Sequence, residues 1–350
     1  MPVFTAQSAR PRQELALAIV EGEGAVDNLI GEEILPPLPI NRRTAHMIKA
    51  TIADTLAFRA IDDDKFIHAP GTKFERAVAK FGDATMSVVL RGQEIVIPNE
   101  IELDYAEYLP TESFFAGRFG QTSALTKEKL IAAQVFNTAN TALGSATNSS
   151  VAYTTANAAT NSFIPDVIAS IRRLKARGER PDTVVMSGSV LERIRQAATV
   201  QGYVSGTLRP GQEATLNTIQ MALAEYGIKK VLEGDSYYNN GAEGVNSLLP
   251  VWSNTYIAVL KAGTASGGGG VDGIGVPSLG GLGANIFWEG YTPGGVPTSD
   301  SNNSNTFAGG TYVESYPDLS IDSMIVRVKM SNKPFIANTS ALDLIATQYS

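Results

Sequence analysis

Residues 85–98, TMSVVLRGQEIVIP, and residues 321–330, IDSMIVRVKM, lie far apart in the chain but share one pattern. In both, apolar side chains broadly alternate with polar ones, the period of a strand with one buried face. Between them come a helical segment, an alternation of helices and strands, and a loop-rich stretch. Strands that resume after such an insert are expected to close a subdomain begun before it.

Working outward, residues 52–97 read as β-hairpin material. Ile67, Phe74, Val78, Phe81, Met86, Val88 and Leu90 are interleaved with polar residues, and Pro70-Gly71, Gly82-Asp83 and Gly92 supply turns. Residues 85–98 alternate well enough for a long strand pair with little nearby to pack on both faces. A projecting ribbon of this kind is marginal in water and needs a partner. Residues 1–50 read as an extended arm, broken at Arg10-Pro11-Arg12, Glu21-Gly22-Glu23-Gly24 and Pro36-Pro37-Leu38-Pro39. Its apolar residues Leu15, Ile19, Leu29, Ile30 and Ile34 have no core of their own and are expected to bury on another subunit. Contacts between subunits are therefore assigned to Leu15, Ile19, Leu29 and Ile34 of the arm and to Phe66, Phe74, Phe81 and Val88 of the ribbon.

Downstream, residues 111–143 carry the clearest helical signal: Leu125, Ala132, Val135, Phe136, Ala139 and Leu143 recur at helical spacing, with Glu128 near the start and Gly144 as a stop. Gly117 and Gly120 are read as breaks in the first turns. Residues 162–260 alternate helix and strand. Ile164, Val167, Ile168, Ile171 and Leu174 form one helical face, followed by Arg172, Arg173, Lys175 and Arg177 at the C-terminal end and by Gly178. A buried strand is expected at 183–187, a capping box at Ser189 and Glu192, a helix at 215–226, and strands at 228–232 and 256–260. Residues 262–310 are rich in Gly, Ser, Asn, Thr and Pro, with one apolar island at 284–288 where a single strand is expected. A loop region of that length normally serves contact or binding.

Composition bounds the rest. The 350 residues exceed what one core usually organises, so two packed subdomains are expected in an α+β protein. Apolar residues make up 43% and charged residues 18%, a low charge fraction that suits a surface covered by neighbouring subunits. Cysteine is absent, which removes disulfides and thiolate-bound metals. The formal net charge of −7 opposes tight binding to phosphate. Residues 1–20 lack the basic start and apolar core of a secretory signal, and no run approaches a membrane span.

Catalytic chemistry finds little support. The two histidines, His46 and His68, stand apart from any other reactive group. Asp62-Asp63-Asp64 lacks the alternating ligands of a calcium loop. The stretch from Val184 to Ser189 fits neither a P-loop nor a nucleophile elbow, and Gly280-Gly281-Leu282-Gly283 opens no clear helix. No enzyme activity, cofactor or metal is expected.

The order arm, ribbon, helix, α/β insert and returning strands resembles the major capsid proteins of tailed phages, with the Hong Kong ninety-seven-like fold. Residues 90–98 look like the strand leaving that family's E-loop, and residues 126–143 like its spine helix. Residues 163–177, 181–187 and 190–195 resemble the opening of its A-domain, and 312–336, with Arg327-Val328-Lys329, its closing P-domain strands. The resemblance implies an N-terminal arm at 1–50 and an E-loop β-ribbon at 51–98. It implies a P-domain with its spine helix and β-sheet at 99–160 and 311–350, and an α/β A-domain at 161–310. It further implies hexamers and pentamers tiling an icosahedral shell around double-stranded DNA, in a virion capsid assembled in the host cytoplasm. Expected partners are other copies of the chain, a portal, a separate scaffolding protein and a cement protein, with DNA held without sequence-specific contacts and no membrane. Some members form Lys–Asn cross-links, but Lys73, Lys80, Asn332 and Asn338 are not marked as a reacting set. The alternatives are an encapsulin-type compartment, an α/β enzyme using the serine-rich turn, or another virion component such as a tail protein.

Overall fold

The computed structural model describes residues 18, 21–22, 26, 28–40, 42–49, 82–105, 110–154, 157, 160–204, 214–241, 245–263, 281–288 and 311–349. In chain order the early elements are α1 (Gly31–Ile34), β1 (Pro37–Ile40), β2 (Thr44–Lys49), β3 (Gly82–Ser87), β4 (Val89–Pro98), α2 (Asn99–Tyr105), α3 (Thr111–Val135) and β5 (Thr147–Asn148). The middle comprises α4 (Phe163–Ala176), β6 (Thr183–Ser187), α5 (Gly188–Arg195), α6 (Ala198–Val204), α7 (Leu216–Ala224), β7 (Lys230–Gly234), β8 (Tyr237–Asn239), β9 (Leu248–Pro250) and β10 (Tyr256–Leu260). The chain closes with β11 (Gly283–Trp288), β12 (Thr311–Asp318), β13 (Ser323–Ile336) and β14 (Leu342–Ala346).

The two opening stretches of sequence are neighbours in one sheet. β4 runs antiparallel to β13, from Pro98 opposite Ser323 to Val89 opposite Asn332. β12 pairs with the same half of β13 from its other side, while β11 and then β1 extend the sheet from the far half. The alternation sorts the faces. Ile97, Val326 and Val328 pack against Ala116 and Phe119 of α3. On the opposite face Arg327 bonds to Glu94, Glu314 and Tyr316. Residues 85–98 are therefore not paired with each other. β3 pairs with β2, Val88 intervenes, and β4 belongs to the larger sheet. The ribbon's described part thus uses residues 44–49, which the sequence placed in the arm.

The second sheet has the order β5-β14-β10-β6-β7. Its three central strands, β14, β10 and β6, are buried on both faces, and their successive residues alternate between two cores. Val184, Met186, Ile257, Val259 and Ile345 join Phe163, Val167, Ile171, Leu191 and Leu223 of the helices. Val185, Ala258, Leu260, Leu342 and Leu344 face a second core with Ile131, Val135 and Trp252. The α/β expectation for 162–260 holds in its helices and strands, and Gly178 stops α4 with φ +86°, where a Cβ would be strained. Two features lay beyond it. β14, near the C-terminus, is an interior strand of this sheet, and the apolar island forms β11 of the other sheet.

α3 joins the two units. At about 1.5 Å per residue its 25 residues span about 37 Å, enough to cover one sheet with its first half and the other with its last. It starts at Thr111, where the helical stretch expected at 111–143 begins and well before the residue 126 of the spine-helix resemblance, runs through Gly117 and Gly120, and ends at Val135 instead of Leu143. Gly117 does not break the helix; Gly22 packs on its backbone, where a Cβ on residue 22 would stand 2.1 Å from the Gly117 carbonyl oxygen.

Residues 28–35 are also part of this junction. Ile34 and Leu35 are fully buried and Ile30 nearly so, all packed against Ile131 and Val135. Glu128 of α3 accepts hydrogen bonds from the backbone N–H of Ile30 (3.0 Å) and Gly31 (2.8 Å) and from Trp252 Nε1 (2.7 Å). A Cβ on residue 31 would stand 2.5 Å from the carboxylate, so only glycine allows this approach. The expectation that Ile30 and Ile34 bury on another subunit is corrected: they fill this chain's own core.

Candidate assembly surface

The elements that carried hints of chemistry are structural in their surroundings. α5 begins at Gly188, and its N-cap Ser187 makes no capping bond; the expected capping box of Ser189 and Glu192 is not formed. The Ser187 hydroxyl instead donates to Asn254 Oδ1 at 2.6 Å. The Glu233 and Asp235 carboxylates stand over Gly188, which disfavours an anion at this turn. Among the described residues no group of three or more His, Cys, Asp or Glu is placed to hold a metal ion. His46 lies on β2, while His68, Asp62-Asp63-Asp64, Lys73 and Lys80 fall outside the described residues. Asn332 accepts from Arg91, and Asn338 donates to Glu179 Oε1 at 2.6 Å. Both asparagines are buried.

Buried carboxylates hold the joints. Asp166 at the start of α4 accepts from Ser150, Tyr153 and Ser162, buttoning the loop before it. Burial, with Asp166 beside it, pushes the Tyr153 hydroxyl well above its usual range. Asp343 of β14 accepts from Ser170 (2.5 Å) and Arg173 (2.8 Å), tying the C-terminal strand to α4. Burial also raises the Glu128 carboxyl above its ordinary value, although three donors oppose the shift. Each group fixes a joint.

What remains without cover is apolar surface. Of the expected contact residues, Leu29 is half-buried; Ile34 and Val88 are buried inside this chain and cannot be covered by another. Leu15, Ile19, Phe66, Phe74 and Phe81 lie outside the described residues. Instead, large apolar side chains are exposed elsewhere: on β4 (Val89, Leu90 and Val96), at Phe114 of α3, at Leu143, and in three further places. The β8–β9 hairpin presents Tyr237, Leu248 and Leu249, and α7 presents Met221 beside a groove lined by Gln220, Ile228 and Lys229. The third is the end of the first sheet, where α2 and the β12–β13 turn meet. Asn99 Nδ2 donates to Asp322 Oδ1 at 2.6 Å there, leaving Ile101, Leu103, Tyr105, Leu319 and Ile321 in the open. α2 has no buried residue at all. The sequence signal was the run NEIELDY, apolar and acidic by turns with no cation. Ile321, expected on a strand, is in that turn.

The architecture has known counterparts. A phage-related protein from Bordetella bronchiseptica RB50 superposes with a TM-score of 0.64 at 17% identity, over 98% of each chain. The capsid of cyanophage P-SCSP1u superposes with a TM-score of 0.52 at 10% identity, over 100% of this chain and 91% of that one. The chain has the fold of phage capsid proteins. A virus-like particle from Pyrococcus furiosus also superposes, with a TM-score of 0.52 at 10% identity, over 95% of this chain and 98% of that one. No protein-family model matches the sequence, and no curated protein matches it. The capsid fold accounts for an α+β chain of two sheets bridged by one long helix, and it is shared over essentially the whole length.

Proposed function

We propose that the chain is the major capsid protein of a tailed phage, forming hexamers and pentamers that close an icosahedral shell around double-stranded DNA. The observation that carries this is the capsid fold, shared over 98% of the chain or more. Uncovered apolar side chains on α2, on the β8–β9 hairpin and on α7 support it, because a subunit in a shell has neighbours to cover them. In this reading the first sheet with α3 is the P-domain and the second sheet with its helices the A-domain. The β2–β3 pair is the base of the E-loop, and the residues before Asn28 form the arm. A portal, a separate scaffolding protein and a cement protein are the expected partners. The virion is the place of action, and assembly in the host cytoplasm precedes it.

A second reading is an encapsulin-type compartment that encloses protein cargo instead of a genome; the fold alone does not separate it from the first, since a virus-like particle shares that fold at a similar score to the cyanophage capsid. The contents decide between the two. Particles purified from the natural producer are expected to hold nuclease-protected double-stranded DNA. Particles free of DNA and loaded with one co-purifying enzyme would overturn the phage reading.

A further inference from the structure

The uncovered end of the first sheet has a charge signature that selects its occupant. Residues 99–105 and 317–323 carry Glu100, Glu102, Asp104, Asp318 and Asp322 and no Lys or Arg. The same place exposes Leu103 at 77%, Leu319 at 85% and Ile321 at 53%. A nucleic acid or an anionic lipid surface would be repelled by five carboxylates, so the surface fits a protein segment that is cationic. The chain carries one at the other end of β4. Residues 41–49 hold Arg42, Arg43 and Lys49 with no carboxylate, and Arg42 and Arg43 are exposed in the turn between β1 and β2.

The two features cannot meet within one molecule. The Arg43 carbonyl accepts from the Val88 N–H at the start of β4, while α2 begins at Asn99 directly after its end. At about 3.3 Å per residue, the strand between them holds the two ends about 30 Å apart. We infer that the acidic, apolar end formed by α2 and the β12–β13 turn docks on a second copy of this chain, against the turn carrying Arg42 and Arg43. Different surfaces of the two copies meet in such a contact. It is heterologous, and heterologous contacts propagate head to tail and close into rings. This deepens the shell reading proposed above and rests on it.

Charge reversal tests it. The variants Arg42→Glu/Arg43→Glu and Glu100→Lys/Glu102→Lys/Asp104→Lys alter exposed side chains and are expected to keep the thermal unfolding midpoint of the wild-type subunit. Each alone is expected to lower the sedimentable, assembled fraction by roughly tenfold, because like charges then face each other across the contact. All five substitutions in one chain are expected to restore assembly to within about twofold of wild type, the pairing being reversed but complementary. If either single-sided variant assembles as wild type does, the surface belongs to some other protein and the inference is overturned. Failure of the five-fold variant to recover also overturns it. A wild-type chain that never assembles would overturn the shell reading itself, which the charge variants alone do not.

Discussion

Glu128 gathers the N-H groups of Ile30 and Gly31, 98 and 97 residues away, and the Trp252 indole 124 residues away. Removing a buried carboxylate with such partners leaves all its donors unsatisfied. Glu128→Ala is expected to lower unfolding free energy by about 3–5 kcal/mol, measured by chemical denaturation. Burial raises its carboxyl above 4.5, so the folded state binds that proton more tightly than the unfolded state does. The stability linked to it is fully present below the unfolded value and falls as pH rises through the raised folded value. The excess stability of wild type over Glu128→Gln is therefore expected to shrink as pH rises above 4.5, and denaturation at a series of pH values measures it. Little of this was legible in sequence. A lone Glu on a helix advertises nothing when every partner is distant in the chain, whereas Gly178 stopped α4 where sequence placed it, through its own backbone.

α3 shows why element type is easier to read than element extent. Its buried stripe includes Gly120, Ser123, Lys127 and Glu128 among the apolar residues, so the helical period is present in burial but muted in hydropathy. β6 and β10, whose residues are buried on both faces, were read at their actual bounds. β14 was missed as a member of the second sheet, because nothing local tells a strand which sheet will take it. It lies between β5 and β10 with Leu342, Leu344 and Ile345 buried. Deleting residues 342–350 is expected to leave β5 unpaired, strip β10 of one of its two partners and abolish soluble, folded protein, as read by yield and circular dichroism. Asp343→Ala removes the side-chain ties to Ser170, Arg173 and Arg177 while keeping the strand, and is expected to cost about 3 kcal/mol in a denaturant titration.

For the whole molecule, the closing strands were the legible feature: β13 completes a sheet opened by β4, as the shared alternation implied. The boundary of the N-terminal arm was not legible, since apolar residues punctuated by prolines look alike whether they cover a neighbour or their own core. The structure shows the second case for Ile30, Ile34 and Leu35. Removing residues 1–17 is expected to leave the unfolding midpoint of the subunit unchanged while impairing assembly. A deletion through residue 35 also strips Ile30, Ile34 and Leu35 from the junction and is expected to unfold it; differential scanning calorimetry of the two truncations distinguishes the cases. Assembly itself is the central claim, and electron microscopy of the purified wild-type chain, alone and with candidate scaffolding proteins, tests it most directly. Closed shells or five- and six-membered rings are the predicted result, and a monodisperse monomer under every condition would contradict it.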